Sequence, residues 1–289
     1  MIIMFLLSAK QLNGSKISVL LPKAMLRCTN FVKNSNSLPP FTAKSTIGQP
    51  FIELTEVGST NIYAMEQVQA NMAGHGTVFF AHTQTAGKGQ QGKSWVTEPG
   101  TNITMSVVLD CSPLSITQLF ELSLTISVAC QDFFSRYAPE ETSIKWPNDI
   151  YWRDRKAGGI LIENIIRGDK WLWSVVGIGI NLNQVLFPVT AKNPVSLRQI
   201  TGKEFNTVSM AKELCVCLEN RYQYWLKWGG QQLLKEYNDR LYKKDGWVKL
   251  KKDNRVFSCR VKNVSETGEL LVEGGVEDRF RFGEVEWVI

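Results

Sequence analysis

Residues 83–95 read TQTAGKGQQGKSW, and the fold turns on how this stretch is read. Gly87-Lys88-Gly89-Gln90-Gln91-Gly92 fits the dinucleotide-binding spacing G-x-G-x-x-G. Continued to Ser94, the same residues fit the phosphate-loop pattern G-x-x-x-x-G-K-[ST]. Both motifs need a strand before the loop and a helix after it, because the helix N-terminus supplies the free N–H groups and the dipole. TVFFAHTQ (77–84) supplies the strand, being β-branched and aromatic. The loop then runs into SWVTEPGTNITMSV, where Pro99 and Gly100 bar a useful helix and 102–110 reads as another strand. Both nucleotide readings fail on this context. What remains is a strand–loop–strand connection rich in glycine, lysine and glutamine. It reads either as an anion-binding loop, through Lys88, Lys93 and exposed N–H groups, or as an ordinary solvated loop.

Outward from the loop, FIELTEV (51–57) alternates as a strand, and Ser59 or Thr60 caps a helix over roughly 61–73. A long apolar helix opens at Pro113 and Ser115 and runs to about Tyr137. SIKWP and DIYWR read as a strand pair about a turn, and 157–167 with 171–183 as a hairpin of buried strands. Apolar positions at helical spacing mark a helix over about 208–228, ended by Gly229-Gly230, and a shorter one reaches about Tyr242. From Gly246 the chain turns to short alternating strands. The expected fold is therefore α+β, a central mixed or antiparallel sheet flanked by helices, with a small C-terminal all-β barrel. The expected boundaries are a leader over 1–48, a ligand-binding domain over 49–242 and the β unit over 243–289.

The charge is unevenly placed. Of 33 basic residues six (Lys10, Lys16, Lys23, Arg27, Lys33, Lys44) fall within 1–48, which has no acid; 33 less six leaves 27, against 27 acidic residues. The remainder is neutral, so bulk charge gives no argument for a nucleic-acid partner. The leader reads as a disordered tail or an upstream-extended reading frame, with a transit peptide as the alternative. Its apolar start is too short to span a membrane. Six cysteines without C-x-x-C spacing suit reduced, buried thiols and a cytoplasmic setting, and two histidines make a histidine-built metal centre improbable.

Four further stretches carry chemistry, each with a plainer reading beside it. Gly58-Ser59-Thr60-Asn61 groups hydroxyl, amide and N–H donors where a strand meets a helix, or simply caps that helix. Lys145-Trp146-Pro147-Asn148-Asp149 offers a cation and a carboxylate fit for a metal or a proton, or an Asx-turn. Lys156 before Gly158-Gly159 could neutralise charge developing on an oxyanion, or lie along the surface. Gly177-Ile-Gly179-Ile-Asn181-Leu-Asn183 ends an apolar strand in amides, or merely packs.

In order, GSTN, Gln84-x-x-Gly87-x-Gly89-x-x-Gly92-x-x-Trp95, KWPNDIY, KAGGILIE and GIGINLN resemble the biotin–protein ligases, over roughly residues 51–289. The resemblance implies the fold shared by biotin ligases and class II aminoacyl-tRNA synthetases. It also implies a two-step reaction: biotin and MgATP give biotinyl-5′-AMP and pyrophosphate, then biotin passes to a lysine of a biotin carboxyl carrier domain. By position it implies Ser59, Thr60, Asn61 and Gln84 at biotin's ureido group. Gly87, Lys88, Gly89 and Gln90 would form a lid over the adenylate, with Gly158 and Gly159 lining the biotin site. Lys156 would bridge the biotin carboxyl and α-phosphate, and Asp149 would help deprotonate the acceptor lysine. Lys93, Trp95, Asn148, Asp149 and Asn181 would lie near ATP, the latter two near Mg2+. The family loop often reads G-R-G-R-R-G-R, whereas here Gln90 and Gln91 replace two arginines. The family's DNA-binding domain is not recognised in the sequence, and homodimers through sheet edges are possible. The alternatives are a lipoate–protein ligase of the same fold and a non-catalytic biotin-binding regulator.

Overall fold

A computed structural model describes residues 46–288, and the calls on the leader up to Ser45 lie outside the described residues. Seven strands form one sheet. In chain order they are β1 (Phe51–Val57), β2 (Val78–Gln84), β3 (Ile103–Asp110), β4 (Thr142–Lys145), β5 (Asp149–Trp152), β6 (Arg155–Arg167) and β7 (Lys170–Ile180). Their spatial order is β1-β2-β3-β7-β6-β5-β4. β1 and β2 are parallel, and all the other pairs are antiparallel. The parallel pair needs a crossover, which α1 (Thr60–Gln69) provides.

The period of two sorts each strand between two faces. On one face, Ile103, Met105, Val107 and Leu109 of β3 join Val176, Ile178 and Ile180 of β7 in the main core. That face is covered by α2 (Leu119–Ser135), α4 (Thr207–Trp228) and α5 (Gln231–Asp239). On the other face Phe79, Val108 and Val175 pack beneath Ala64 and Val68 of α1. Only half of this second face is apolar, and the other half is the site described below.

Two boundaries differ from expectation. α1 stops at Gln69, because Asn71 takes a left-handed φ of 56° and the Met72 N–H closes on the Gln67 carbonyl. The helix expected from Ser115 begins as one 3-10 turn, Ile116–Gln118, with a reciprocal Ser115–Gln118 cap, before α2 proper. A short α3 (Leu197–Thr201) has the same signature, Ser196 and Gln199 capping one another and Gly202 ending it at φ 70°.

Buried ions tie the helices to one another and to the segment before β1. Arg221 of α4, 5% exposed, donates to Asp132 of α2 at 2.5 and 3.1 Å and lies 2.9 Å from Glu236 of α5. Glu219, two residues earlier, accepts the backbone N–H groups of Thr46 and Ile47 at 2.9 and 2.7 Å and the Thr46 hydroxyl at 3.1 Å.

The C-terminal strands are β8 (Trp247–Lys252), β9 (Arg255–Val264), β10 (Leu270–Glu273), β11 (Arg279–Phe280) and β12 (Glu286–Val288), ordered β11-β10-β9-β8-β12 and antiparallel throughout. Several contacts fasten this sheet to the body. Asn238 exchanges two hydrogen bonds with the Val264 backbone, at 2.6 and 3.0 Å. The Trp146 indole donates to the Gly268 carbonyl at 3.0 Å. The Lys145 ammonium sits 5.2 Å from the Trp287 ring. No helix among the described residues is long and apolar enough to cross a membrane.

Candidate functional site

Register builds the site. Thr104 of β3 stands opposite Gly179 of β7, Gly179 opposite Gly159 of β6, Gly159 opposite Asp149 of β5, and Asp149 opposite Lys145 of β4. Partners directly opposite share a face, so these five residues form one row across the sheet. The next row holds Ser106, Gly177 and Leu161. Both rows lie on the α1 face, beyond its apolar half. The middle of each row is glycine because other side chains stand there. A Cβ on Gly177 would collide with the Asn61 carboxamide, and one on Gly179 would come within 2.6 Å of the Trp95 ring.

The start of α1 meets these rows in a buried polar cluster. Gln84 Oε1 accepts the Thr60 N–H at 2.8 Å and lies 3.1 Å from the Thr60 hydroxyl. Ser106 Oγ is 2.8 Å from Thr60 Oγ1 and 2.6 Å from Asn61 Oδ1, and its one proton can serve only one of them. The Asn61 amide donates to Glu163 at 2.9 Å and to the Leu161 carbonyl at 3.2 Å. Ser59, 3% exposed, is the N-cap residue, yet its side chain makes no capping bond. This leaves its hydroxyl available to a ligand.

At the other end Lys156 Nζ lies 2.7 Å from Asp149 Oδ1 and 5.8 Å from the centre of the Trp95 ring. Backbone bonds aim Lys156: its N–H donates to Asn193 and its carbonyl accepts from Val195, both at 2.8 Å. The Asn181 amide adds donations to the Lys156 and Val195 carbonyls at 3.3 and 3.1 Å. The Asn148 amide donates to the Ile160 carbonyl. These two amides, expected beside ATP, thus hold the backbone that carries Lys156 and Gly159. Gly158 faces the opposite side, toward Ile180 and Ile150 in the core.

The glycine loop is folded on itself. Trp95 N–H donates to Gly87 at 2.9 Å, Gly89 N–H to Lys93 at 2.7 Å, and Lys88 bridges Ser94. Gln90–Gly92 form a 3-10 turn in which Gln91 and Gly92 take φ of 53° and 72°. Gly87 has a plain requirement, since a Cβ there would strike the Trp95 carbonyl. Lys88 and Lys93 are exposed, and Trp95 is half-buried with its indole N–H lacking an acceptor among the described residues. Lys145 is half-buried between the Tyr151 and Trp287 rings. Burial lowers its amino group to about 8; Asp149 opposes this, while Lys156, Lys93 and Lys192 add to it.

Residues 52–181 match the model of the biotin/lipoate A/B protein ligase family. This segment of the chain belongs to that family. Among relatives of this ligase domain, the bifunctional ligase/repressor BirA of Bacillus subtilis (strain 168) is 34% identical over 202 residues, covering 68% of this chain and 61% of that protein. The chain thus spans less than two thirds of that relative's length. The biotin–[acetyl-CoA-carboxylase] ligase of Mycobacterium tuberculosis is 31% identical over 134 residues, 45% of this chain and 48% of that one. Among solved structures, the biotin protein ligase from Aquifex aeolicus in complex with biotin and ATP superposes with a TM-score of 0.68 at 25% identity, covering 82% of this chain and 97% of that one. The biotin/lipoate ligase fold is therefore present, with its mixed sheet, flanking helices and C-terminal antiparallel sheet.

The structure adds residues that sequence reasoning missed. Ser106 and Glu163 belong to the polar cluster. Alternation places Ser106 on the face of Thr104, but only register shows that this is the face of Asn61. Among the described residues no group of three or more His, Cys, Asp or Glu is placed to hold a metal. With Asp149 paired to Lys156 and the Asn181 amide donating to carbonyls, the donor set does not build a resident metal site.

Proposed function

We propose that this protein is an ATP-dependent biotin–protein ligase, which activates biotin to biotinyl-5′-AMP and transfers biotin to a lysine of a biotin carboxyl carrier domain. In the first step a biotin carboxylate oxygen attacks the α-phosphorus of ATP, and diphosphate leaves. In the second, the carrier's amine attacks the acyl carbon of the mixed anhydride, and AMP leaves with the bond electrons. Mg2+ would arrive on the nucleotide's phosphates and neutralise part of their charge.

The observation that carries this reading is the Lys156 ammonium, fixed by Asp149 over a glycine floor beside a buried polar cluster. A ureido group needs both donors and acceptors, and Ser59, Thr60, Asn61, Gln84 and Ser106 supply both. Two anions must meet in the first step, and an ammonium placed between them lowers their repulsion. When Lys156 turns to the phosphate, Asp149 is left to accept the proton of the incoming carrier amine. The glycine loop can order over the intermediate and exclude water. The five described cysteines are free and buried, which suits the reducing cytoplasm. Beyond Ile160, β6 pairs with β7 on one side only among the described residues, and a homodimer would form along that edge.

Biotin-dependent exchange of labelled diphosphate into ATP, followed by label transfer from biotin to a carrier domain, tests the reading. Exchange driven by lipoate but not biotin would make the protein a lipoate ligase. Tight biotin binding without exchange would leave a binding protein only.

A further inference from the structure

Glu163 is an acid on an apolar stretch of the sheet. It stands in the row Val108–Val175–Glu163 on the α1 face, and both valines are fully buried. Its carboxylate is partly buried, forms no ion pair among the described residues and takes one donor, the Asn61 amide at 2.9 Å. A carboxylate drawn out of water to meet one neutral donor gives the fold little net stability. Its effect lies further along the contacts that start at Asn61.

The Glu163 bond fixes which way that amide points. Asn61 donates to the Glu163 carboxylate and to the Leu161 carbonyl at 3.2 Å, and neither group donates back. A flipped amide would set its oxygen against both acceptors. Asn61 Oδ1 therefore faces Ser106 Oγ, 2.6 Å away, and only Ser106 can supply the proton between them. With its proton committed there, Ser106 accepts at its 2.8 Å contact with Thr60 Oγ1, so the Thr60 hydroxyl points to Ser106. No proton is then left between Thr60 Oγ1 and Gln84 Oε1, which stand 3.1 Å apart. Gln84 Oε1 is kept in place because it also accepts the Thr60 N–H at 2.8 Å. The chain thus ends in two oxygens whose lone pairs call for an outside donor, and an N–H entering beside them satisfies both.

We infer that Glu163 is a positioning residue: through Asn61 and Ser106 it sets the direction of this hydrogen-bond chain, so that Thr60 and Gln84 present acceptors to a ring N–H. This rests on the proposed biotin reaction and deepens it. The chain selects a cyclic urea, which carries such a donor, over the dithiolane ring of lipoate, which carries none and would leave both oxygens unpaired. Glu163 acts through its neighbours rather than on the ring itself.

The test is calorimetric titration of the full chain with biotin and with its two carbamate analogues, in each of which one ureido N–H is replaced by a ring oxygen. The wild type should bind one of these analogues about tenfold or more weaker than biotin, because an oxygen then faces the two acceptors. Glu163→Ala releases the amide to flip. It should weaken biotin about tenfold and leave that analogue nearly unchanged, so that the preference collapses. Glu163→Leu, which fills the space without an acceptor, should do the same, whereas Glu163→Gln, whose side-chain oxygen still accepts, should restore most of the preference. Melting followed by circular dichroism checks that each variant is folded. Equal weakening of biotin and the analogue, as a packing role would give, or an unchanged preference, would overturn the assignment. So would a wild type that binds both analogues as tightly as biotin, or one that binds none of the three. If the preference shifts as expected but no biotin-dependent diphosphate exchange occurs, Glu163 keeps its role and the adenylation reading fails. If exchange occurs and the preference does not shift, only the assignment to Glu163 fails.

Discussion

The Lys156 ammonium and the Asp149 carboxylate meet at 2.7 Å over Gly159, where a Cβ would stand 3.4 Å from each. The pair is held from three sides: by the backbone bonds to Asn193 and Val195, by the ladder, and by the glycine that leaves room beneath it. Lys156→Met keeps the length of the side chain and removes its charge. Biotinyl-adenylate formation should fall by roughly 10² to 10³, the usual cost of losing one preorganised charge donor, with the melting temperature little changed. Turnover near that of the wild type would remove Lys156 from the chemistry.

Two glycines one turn of the pleat apart should separate the two substrates. Gly177→Ala pushes on the Asn61 carboxamide, and Gly179→Ala pushes on the Trp95 ring. The first should weaken biotin binding by tenfold or more while leaving KM for ATP nearly unchanged. The second should raise KM for ATP with a smaller effect on biotin. Titration of each variant with each ligand checks this, and an identical profile for the two would show that the rows do not divide the ligands as argued.

Arg221 joins three helices by contacts to Asp132 and Glu236. Arg221→Met leaves both carboxylates to Arg240, which lies 2.7 Å from Asp132 and 3.1 Å from Glu236. Losing one charged partner of a network whose carboxylates stay paired costs about 1–3 kcal/mol. Chemical denaturation should show a loss of that order, with substrate affinities retained in the fraction still folded.

Lys145 should give a pH signature. Its folded value, about 8, lies below the ordinary lysine value of 10.5. Between those two values the unfolded chain holds a proton that the folded protein has released, so this group's contribution to stability improves as pH rises through that window. Below pH 8 the penalty is present in full. Lys145→Met should therefore stabilise the protein at pH 7 by about 3 kcal/mol, with the gap closing toward pH 10. Unfolding curves at both pH values read it directly, and a constant gap would mean that the amino group is not perturbed.

Much of this was legible in the sequence because local chemistry decided it. Pro99 and Gly100 excluded a helix after the glycine loop, and the alternation of residues 77–84 and 102–110 marked two strands that are present as β2 and β3. The ordered blocks pointed to Lys156, Asp149, Thr60, Asn61 and Gln84, and the structure brings these onto one face of the sheet. Ser106 was hidden because its partners, Thr60 and Asn61, are 46 and 45 residues away, and their meeting depends on how α1 docks. Asn148 and Asn181 illustrate the converse. They stand in the same blocks, and an amide reads the same whether it meets a nucleotide or a carbonyl; here both donate to carbonyls.

Glu219 fixes how far the polypeptide can be trimmed from its amino end. Its carboxylate, 6% exposed, takes three donors from Thr46 and Ile47 alone, besides the Gln223 amide at 2.9 Å. A version starting at Thr46 keeps those donors, whereas one starting at Gly48 strands an anion in the interior and should be recovered poorly from expression.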